Sequence, residues 1–374
     1  MPSCLAHTAG KLRQMIDKTA VDARKRNMLV GPTGDKRQPH IASQQLERHL
    51  ALDGKHRAIQ AEPKTSNPLC AISSNTERFQ SSGRPYCDGL LKVIGEDGRI
   101  RSTLNQTETR TGRISSTEPN LQNIPVRSPL GREMRKFFVA RDGYVLVDAD
   151  YSQIELRVLA HISGDRNMIK AFNDNTDIHT VTASEVFDMP PQLVTPIMRS
   201  RAKAVNFGIV YGIGAFSLAK DIGVSRSEAD EYIKGYLRHY SGVDKYMHDV
   251  VEKAKKDGYA ETMFARRRYL PELTASNANT RAFGERVARN MPIQGTAADI
   301  IKIAMIRVYE RLERENLAAK LIMQVHDELI VEAPENEKER VSALLKEEME
   351  NAVKLSVALT ADVHSGRTWY DAKG

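Results

Sequence analysis

The chain has 374 residues, enough for two or three domains that bury a substantial core. Its 55 Lys and Arg residues outnumber its 48 Asp and Glu residues, and the net charge of +7 suits a polyanionic partner without requiring one. The three cysteines, Cys4, Cys70 and Cys87, lack metal-ligand spacing, and their odd number argues against a disulfide framework. No run approaches the ~18 apolar residues of a membrane span, so we expect a cytoplasmic protein without a membrane partner.

The sequence changes character near residue 86. Residues 1–85 are polar and show no sustained helical or strand period, which is typical of loop or disorder. Beyond them, Leu90–Ile94 and Arg99–Leu104 are predicted as short strands joined by a hairpin turn at Glu96-Asp97-Gly98. The loop TRTGRISSTEPNLQNIP, residues 109–125, is long and rich in hydrogen-bonding side chains, which favours a function over a simple connection.

Two acids follow an apolar run in the middle of the chain. Tyr144–Val147 is predicted as a buried strand, and Asp148 and Asp150 come directly after it. The apolar residues of 154–159 continue at roughly helical spacing. A strand that delivers an acid into a turn before a helix is a common metal-binding arrangement. Solvated acids at the end of a buried strand are an equally good interpretation of this stretch alone.

Two helices are predicted further along. Asp177-Ile178-His179 leads into a helix that ends near Phe187. In the second helix, Thr195 is the expected N-cap, Pro196 the expected first helical residue, and Gly212 the expected end.

The second of these helices carries a stripe of four residues spaced four apart. The stripe consists of Arg199, Lys203, Phe207 and Tyr211, so it is cationic near its beginning and aromatic toward its end. Phosphates at the first half would meet fixed charge and the positive end of the helix dipole, and a flat base could stack on the second half. The alternative is a solvated basic turn followed by two core aromatics.

The rest of the chain adds scaffold helices and a second acidic site. Residues 225–258 and 296–316 are predicted as amphipathic helices, and Arg286, Asn290 and Gln294 form a polar line that ends at Gly295. Leu321–Val331 contains two apolar strands around His326-Asp327-Glu328. A solvated turn is one interpretation of that hairpin. If both strands are buried, the acids lie in a semi-buried place and need a cation or protons to offset their repulsion.

Together these elements indicate phosphoryl or nucleotidyl transfer on a polyanion. Carboxylates from two separate elements can bridge two magnesium ions ~3.5 to 4 Å apart, which stabilises the attacking and leaving oxygens. Oxygen ligands favour magnesium over zinc, and no His/Cys cluster competes with them. The sequence contains no GxxxxGK[ST] motif, which disfavours a P-loop ATPase.

Five segments of the sequence resemble family A DNA polymerases of the bacterial polymerase I type. They are DYSQIELR (150–157), RSRAKAVNFGIVYG (199–212), QVHDELIVEA (324–333), TGRISSTEPNLQNIP (111–125) and RNMPIQGTAADIIK (289–302). The resemblance covers roughly residues 86–374 and places the five segments in the order of the family.

The resemblance implies an α+β, right-hand polymerase fold with an antiparallel palm sheet and helical fingers. It places the palm at 86–160 and 286–374, the fingers at 161–285, and an atypical segment without a recognisable thumb at 1–85. The implied function is template-directed DNA polymerisation by two-metal nucleotidyl transfer, in DNA replication or DNA repair. The alternative is a catalytically weak or silent fragment that binds nucleic acid or nucleotide. Glu155 and Phe207 disfavour a third possibility, a single-subunit RNA polymerase.

The resemblance also implies roles for individual residues. Asp150, Asp327 and the carbonyl of Tyr151 would bind two Mg²⁺ ions, and Glu328 would be an auxiliary acid near the primer end. Lys203 would contact the triphosphate and protonate the departing pyrophosphate. The nucleotide-binding set is Arg199, Lys203, Phe207, Tyr211, His179, Glu155 and Gln153. The DNA-binding set is Arg113, Arg286, Asn290, Gln294 and His326. Asp148 is not a family ligand, which leaves it a structural role.

For three of these residues the resemblance implies a more specific role. Phe207 would pack on the sugar, Tyr211 would lie by the templating base, and Glu155 would exclude a ribose 2′-hydroxyl. The implied partners are primer-template DNA and deoxynucleoside triphosphates, and we expect a monomer.

The N-terminal segment departs from the family. Family members carry a thumb, an exonuclease-like domain and often a 5′ nuclease before the palm, so we expect neither proofreading nor flap cleavage in this chain. We hypothesise that residues up to about Pro85 are thumb-coding DNA read out of frame. Asn75–Ser81, read one base earlier, permits Glu-Tyr-Arg-Ala-Leu-Ser-Lys, which resembles the thumb segment before the family's DGLLK stretch. DGLLK itself is in frame at Asp88–Lys92.

Overall fold

The computed structural model describes residues 59–61, 89–90, 92–124, 132 and 134–374. Of residues 59–61 only the backbone is described. The thumb and reading-frame hypotheses for residues 1–85 lie outside the described residues. The described residues divide into two compact units. The first contains 153–299 and 353–359, and the second contains the described residues before 153 together with 300–352 and 360–374.

The strands of the described residues form four antiparallel groups. In chain order they are β1 (Ile59–Ala61), β2 (Arg99–Ile100), β3 (Thr103–Asn105), β4 (Ser115–Thr117), β5 (Phe138–Val139), β6 (Tyr144–Tyr151), β7 (Tyr259–Glu261), β8 (Arg267–Tyr269), β9 (Lys320–Val325), β10 (Glu328–Pro334) and β11 (Ala361–Gly366). The largest sheet has the order β11-β6-β10-β9, and a three-stranded sheet has the order β2-β1-β5. The pairs β3-β4 and β7-β8 are separate.

Most of the α-helices in the described residues lie in the first unit. In chain order they are α1 (Ile154–Ser163), α2 (Arg166–Asn173), α3 (Ile178–Val186), α4 (Pro196–Val210), α5 (Ala215–Ile222), α6 (Arg226–His239), α7 (Ser241–Asp257), α8 (Ala278–Arg314) and α9 (Lys338–Glu350). None of the helices in the described part of the chain is long and apolar enough to cross a membrane.

The second unit is built around β6 and β10, which lie side by side at the centre of the largest sheet. Their alternating apolar residues face a core that includes Leu146, Ile330 and Trp369. Helix α9 packs against β6, β10 and β11. Because β6 is paired on both edges, its end is held firmly where the chain turns toward α1.

The first unit is a helical assembly in which α3 packs on α4, and α5 packs on α6. A buried polar network joins α3 and α4: the Thr182 hydroxyl lies 3.2 Å from Asn206 Oδ1 and 3.2 Å from the Tyr240 hydroxyl. These hydrogen bonds satisfy polar groups that would be costly to bury alone. They fix the rotation of α4 relative to α3.

Several predicted elements are correct. The strand that begins at Tyr144 is confirmed, but it continues to Tyr151, so the prediction that Asp148 and Asp150 follow the strand is wrong. Helix α3 ends at Val186, next to Phe187, as predicted. Thr195 is the N-cap of α4, its hydroxyl accepts a hydrogen bond from the Met198 amide at 3.3 Å, and Pro196 is the first helical residue. The turn at residues 96–98 is confirmed by the antiparallel bridge between Ile94 and Ile100.

Other predicted elements are wrong. Leu90–Ile94 is not a strand, because residues 89, 90 and 92 are helical, and Arg99–Leu104 divides into β2 and β3. Residues 225–258 form two helices that meet at Tyr240.

The helix predicted for 296–316 begins much earlier, at Ala278, and passes through both Pro292 and Gly295. Burial of Met291, Ile293 and Ala297 stabilises α8 across these two poor helix formers.

Candidate active site

The acids of the second unit meet across paired strands. Asp150 at the end of β6 lies opposite Glu328, the first residue of β10. Asp327 is half-buried at the hairpin tip, and its carbonyl accepts a hydrogen bond from the Tyr151 amide at 3.1 Å. The neighbouring His326 is exposed and has a positive φ of 54°, as a tight turn requires. The hairpin therefore brings the three predicted acids to one edge of the sheet.

Asp150 and Glu328 share one cation. The Lys373 ammonium lies 2.7 Å from Asp150 Oδ2 and 2.5 Å from Glu328 Oε2. Trp369 Nε1 donates a hydrogen bond to the other Glu328 oxygen at 3.1 Å. The Glu328 side chain is 7% exposed and that of Asp150 is 37% exposed, so the first acid is enclosed and the second is accessible.

Asp148 lies two residues before Asp150 and is 2% exposed. Burial, reinforced by the negative charge of Glu328, raises the pKa of Asp148 to about 8. Neither of its carboxyl oxygens has a hydrogen-bond partner among the described residues. An enclosed acid of this kind fits a structural role better than a metal-ligand role.

The donor set at the hairpin fits magnesium. Oδ1 of Asp150 is buried and has no hydrogen-bond partner within the described part of the chain. No group of three or more His, Cys, Asp or Glu side chains is arranged to hold a metal among the described residues. Magnesium is commonly bound through one or two carboxylates, with water and substrate phosphate completing the shell. Asp150 and Asp327 therefore provide enough protein oxygens for such an ion.

The amide-rich loop packs against the acidic hairpin. Gln122 Nε2 donates to the Gln324 carbonyl at 3.2 Å, and Gln324 Nε2 donates to the His326 carbonyl at 2.6 Å. The loop is braced internally where the Thr109 hydroxyl donates to the Arg113 carbonyl at 2.6 Å. This chain of contacts links the loop to the hairpin tip.

Helix α4 in the first unit presents the predicted stripe to solvent. Arg199 and Lys203 are exposed, Phe207 is half-buried, and Tyr211 is 45% exposed. The interpretation of the two aromatics as core residues is therefore wrong. Arg199 forms a two-point ion pair with Asp177, with Nε–Oδ2 at 2.6 Å and Nη2–Oδ1 at 3.1 Å.

His179 lies beside this stripe in a buried position, 2% exposed. Asn206 Nδ2 is 3.1 Å from His179 Nδ1, and the ring centroids of His179 and Phe207 are 5.8 Å apart. Burial lowers the pKa of His179 to about 4, so the imidazole is neutral at pH 7. If Nδ1 accepts from Asn206, the remaining nitrogen carries the proton and can donate to a phosphate.

Glu155 is held at the start of α1, where it is 6% exposed. The Tyr211 hydroxyl donates to Glu155 Oε2 at 2.9 Å, which joins the end of α4 to α1. Gln153 precedes α1 in a left-handed conformation with φ of 55°, and its side chain makes no capping hydrogen bond. This hydrogen bond places Glu155 and Tyr211 side by side in the first unit.

The polar line on α8 is only partly exposed. Arg286 is exposed, whereas Asn290 and Gln294 are half-buried, and Asn290 Nδ2 donates to the Val210 carbonyl at 3.5 Å. Gly212 has φ of +67°, and a Cβ there would lie 3.1 Å from Arg286 Cγ. The turn after α4 thus packs closely against the start of this line, which explains a glycine at that position.

The sequence profile described as DNA polymerase family A matches residues 57–371, and the chain belongs to this family. The match begins upstream of residue 86, where the resemblance of the motifs begins. DNA polymerase I of Caldicellulosiruptor bescii is 53% identical over 289 residues, which cover 77% of this chain and 34% of that protein. DNA polymerase I of Mycobacterium bovis is 50% identical over 328 residues, covering 82% of this chain and 36% of that protein.

A solved structure with the same fold is the POL domain of Pol1 from M. smegmatis in complex with DNA primer-template and dNTP. Its TM-score is 0.75 at 39% sequence identity, and the match covers 98% of this chain and 67% of that chain. The match confirms the expected α+β polymerase fold. The chain spans about a third of the length of the curated relatives it matches.

Lys373 and Trp369 were not identified from the sequence, although both contact Glu328. A single lysine near the end of a chain has no spacing or pattern that distinguishes it from a solvated one. A weak indication of these contacts is present in the segment TWYDAK, residues 368–373. Its two adjacent aromatic residues favour a packed segment over a free tail.

Proposed function

We propose that this chain is a DNA-directed DNA polymerase that adds deoxynucleotides to a primer 3′ end by nucleotidyl transfer. The observation that carries the proposal is the register of β6 and β10, which places Asp150 opposite Glu328, one residue from Asp327 at the hairpin tip. The exposed cationic and aromatic stripe of α4 supports it, because it suits a triphosphate attached to a flat base.

The acids would hold two Mg²⁺ ions through Asp150, Asp327 and the carbonyl of Tyr151. When bound, the ions supply positive charge to the attacking and leaving oxygens. Glu328 acts as an auxiliary acid near the primer end, and its enclosure by Trp369 and Lys373 holds its orientation.

The first unit would bind the nucleotide. Arg199, Lys203 and His179 contact the triphosphate, and Lys203 gives a proton to the departing pyrophosphate. His179 contacts the triphosphate as a neutral hydrogen-bond donor, because burial lowers its pKa. Phe207 packs on the sugar, while Tyr211 lies by the templating base.

Glu155 selects deoxynucleotides by occupying the space that a ribose 2′-hydroxyl needs. Its hydrogen bond from Tyr211 supports this role because it fixes the carboxylate in place. Gln153, at the strained turn before α1, also belongs to the nucleotide-binding set.

DNA binding would use five polar residues and no base-specific readout, since copying requires sequence-independent contacts. The five residues are Arg113, Arg286, Asn290, Gln294 and His326. The palm would comprise 86–160 and 286–374 and the fingers 161–285. We propose a monomer that acts in the cytoplasm, in replication or repair.

Single-nucleotide primer extension tests this function. Four primer-templates that differ only at the templating base are mixed with each deoxynucleotide, with Mg²⁺ or with EDTA. We expect the complementary nucleotide to be added in each case and no addition with EDTA. Primer-template binding without extension at stoichiometric enzyme would instead support the silent-fragment alternative.

A further inference from the structure

Lys373 is a basic residue among the acids of the second unit. We propose that Lys373 is an internal counter-cation that holds Asp150 and Glu328 together and competes with divalent metal for Asp150. It thereby sets the metal concentration that the site requires. This inference rests on the proposed function, because it takes Asp150 to be a metal ligand.

The contacts of Lys373 are those of a specific bridge. Its ammonium lies within hydrogen-bond distance of Asp150 Oδ2 and Glu328 Oε2, at 2.7 and 2.5 Å. The Lys373 side chain is 31% exposed, so solvent screens the two ion pairs only in part. Two facing carboxylates repel each other, and a shared ammonium removes that repulsion.

The backbone that carries Lys373 is firmly anchored. Trp369 is fully buried, packs edge-on against Phe138 with ring centroids 5.6 Å apart, and donates its amide to the Phe138 carbonyl at 2.9 Å. The Ala140 amide donates to the Arg367 carbonyl at 2.9 Å. The backbone segment that leads to Lys373 is therefore a fixed part of the fold.

The two acids are held unequally. Both Glu328 oxygens are engaged, one by Trp369 and one by Lys373. Asp150 is engaged through one oxygen only, and its Oδ1 has no hydrogen-bond partner among the described residues. When a divalent ion arrives, Asp150 is the acid that can turn to it, while Lys373 stays with Glu328. This asymmetry is consistent with the proposed auxiliary role of Glu328.

The test compares Lys373→Met with wild type in a direct binding measurement, without DNA or nucleotide. Mn²⁺ affinity is measured by calorimetry and by electron paramagnetic resonance. Removal of the competing cation should tighten Mn²⁺ binding by about tenfold, the scale of a charge interaction at partial screening. Lys136→Met is the matched control, because Lys136 lies over the Tyr370 ring, 4.5 Å from its centroid, in the same region. The control should leave Mn²⁺ affinity unchanged.

Thermal melting gives a second readout. Without metal, Lys373→Met should melt a few degrees below wild type, since two carboxylates lose their counter-charge. Saturating Mn²⁺ should restore more stability to this variant than to wild type. Should Lys373→Met fail to fold, Lys373→Gln removes the same charge and retains a hydrogen-bond donor for Glu328.

The proposal would be overturned if Lys373→Met and Lys373→Gln both bound Mn²⁺ with an affinity equal to or weaker than that of wild type. Failure of the proposed function is distinguishable from this result. If wild type extends no primer but the variants bind Mn²⁺ more tightly, the inference about Lys373 stands and the function does not. If wild type extends primers but wild type and the Lys373 variants bind Mn²⁺ with equal affinity, the proposed function is supported and the inference about Lys373 is wrong.

Discussion

The two units of the molecule handle charge in opposite ways. In the second unit Glu328 is enclosed, Asp150 is partly exposed, and Lys373 forms an ion pair with both. In the first unit Arg199 and Lys203 are exposed on α4, and Lys203 makes no ion pair with the described residues. The acidic cluster thus carries its own cation, whereas on α4 Arg199 is paired with Asp177 and Lys203 is not paired with any acid among the described residues.

The difference follows from solvation. Buried carboxylates need a partner because water cannot stabilise them, whereas exposed cations are stabilised by water until an anion arrives. The acidic site must therefore exchange a bound cation for another, whereas on the stripe Lys203 only loses water and Arg199 already has an anionic partner in Asp177. Changes at the stripe should act on substrate handling with little effect on stability, and changes at the acidic edge should affect both.

The largest effect among the nucleotide contacts is expected at Lys203. Lys203→Ala removes a fixed charge and the proposed proton donor, so the rate of primer extension should fall by roughly 10²- to 10⁴-fold. Stopped-flow measurement of single-nucleotide addition checks this. Lys220→Ala, at an exposed lysine on α5, should retain the wild-type rate. Equal rates for the two variants would remove Lys203 from the site.

Phe207 has no hydroxyl to replace a missing sugar 3′-hydroxyl. We predict that wild type uses dideoxynucleotides poorly and that Phe207→Tyr improves their use relative to deoxynucleotides by ~10-fold or more, the value of one added hydrogen bond to a charged group. Competition between the two nucleotides in a primer-extension ladder measures the ratio. Phe216→Tyr, at a residue 73% exposed on α5, is the control. Equal incorporation of both nucleotide types by wild type would contradict the prediction.

Asn206 is fully buried, and its side-chain amide lies 3.1 Å from His179 Nδ1, so on the proposed function it positions His179. Asn206→Leu removes the partner of His179 Nδ1, so KM for the nucleotide should rise ~5- to 10-fold with a smaller change in kcat, about one hydrogen bond. Nitrogen NMR of the imidazole should show loss of the single tautomer. A variant with normal tautomer and altered kinetics would show that Asn206 acts in another way.

His179 also makes stability depend on pH. Its folded pKa of about 4 lies below the ordinary 6.5, so the unfolded chain binds more protons between these values. Stability should fall as pH falls from 6.5 to 4, by at most ~1.4 kcal/mol per pH unit from this group. Chemical denaturation across this range should show a shallower slope for His179→Gln. Identical slopes would mean that the pKa of His179 is the same in the folded and unfolded protein.

The smallest effect is expected at Asp148, next to the most sensitive acid. Asp148→Asn preserves shape inside the sheet and removes the need to enclose a carboxylate, so primer extension should continue at nearly the wild-type rate. Steady-state extension, with folding checked by circular dichroism, measures this. A loss of activity as large as that of an Asp150 variant would make Asp148 a ligand and end the distinction between the two acids.

The local features of the site were predictable, because each depends on neighbouring residues. Thr195 and Pro196 define the start of α4 through capping chemistry, and the apolar run before Asp148 defines β6. The predictions that failed concern elements whose structure depends on tertiary contacts. Leu90–Ile94 has strand composition, but residues 89, 90 and 92 are helical and Ile94 makes a β-bridge with Ile100. Helix α8 continues through Pro292 because its apolar residues are buried.

Contacts between residues far apart in the chain also could not be predicted from the sequence. Lys373 reaches Asp150 across 223 positions, and no periodicity relates the two. The ion pair of Arg199 with Asp177 was missed for the same reason, since each residue had a sufficient local explanation as a phosphate contact or a helix cap.

The most direct test of the central claim is Mg²⁺-dependent primer extension by wild type and Asp150→Ala at stoichiometric enzyme. Asp142→Ala, at a side chain that is 100% exposed in the same unit, is the control. The account predicts template-directed extension by wild type and Asp142→Ala, and a loss of at least about 10³-fold in Asp150→Ala, the scale of metal-borne charge stabilisation. Extension that persists in Asp150→Ala, or none by wild type, would contradict it.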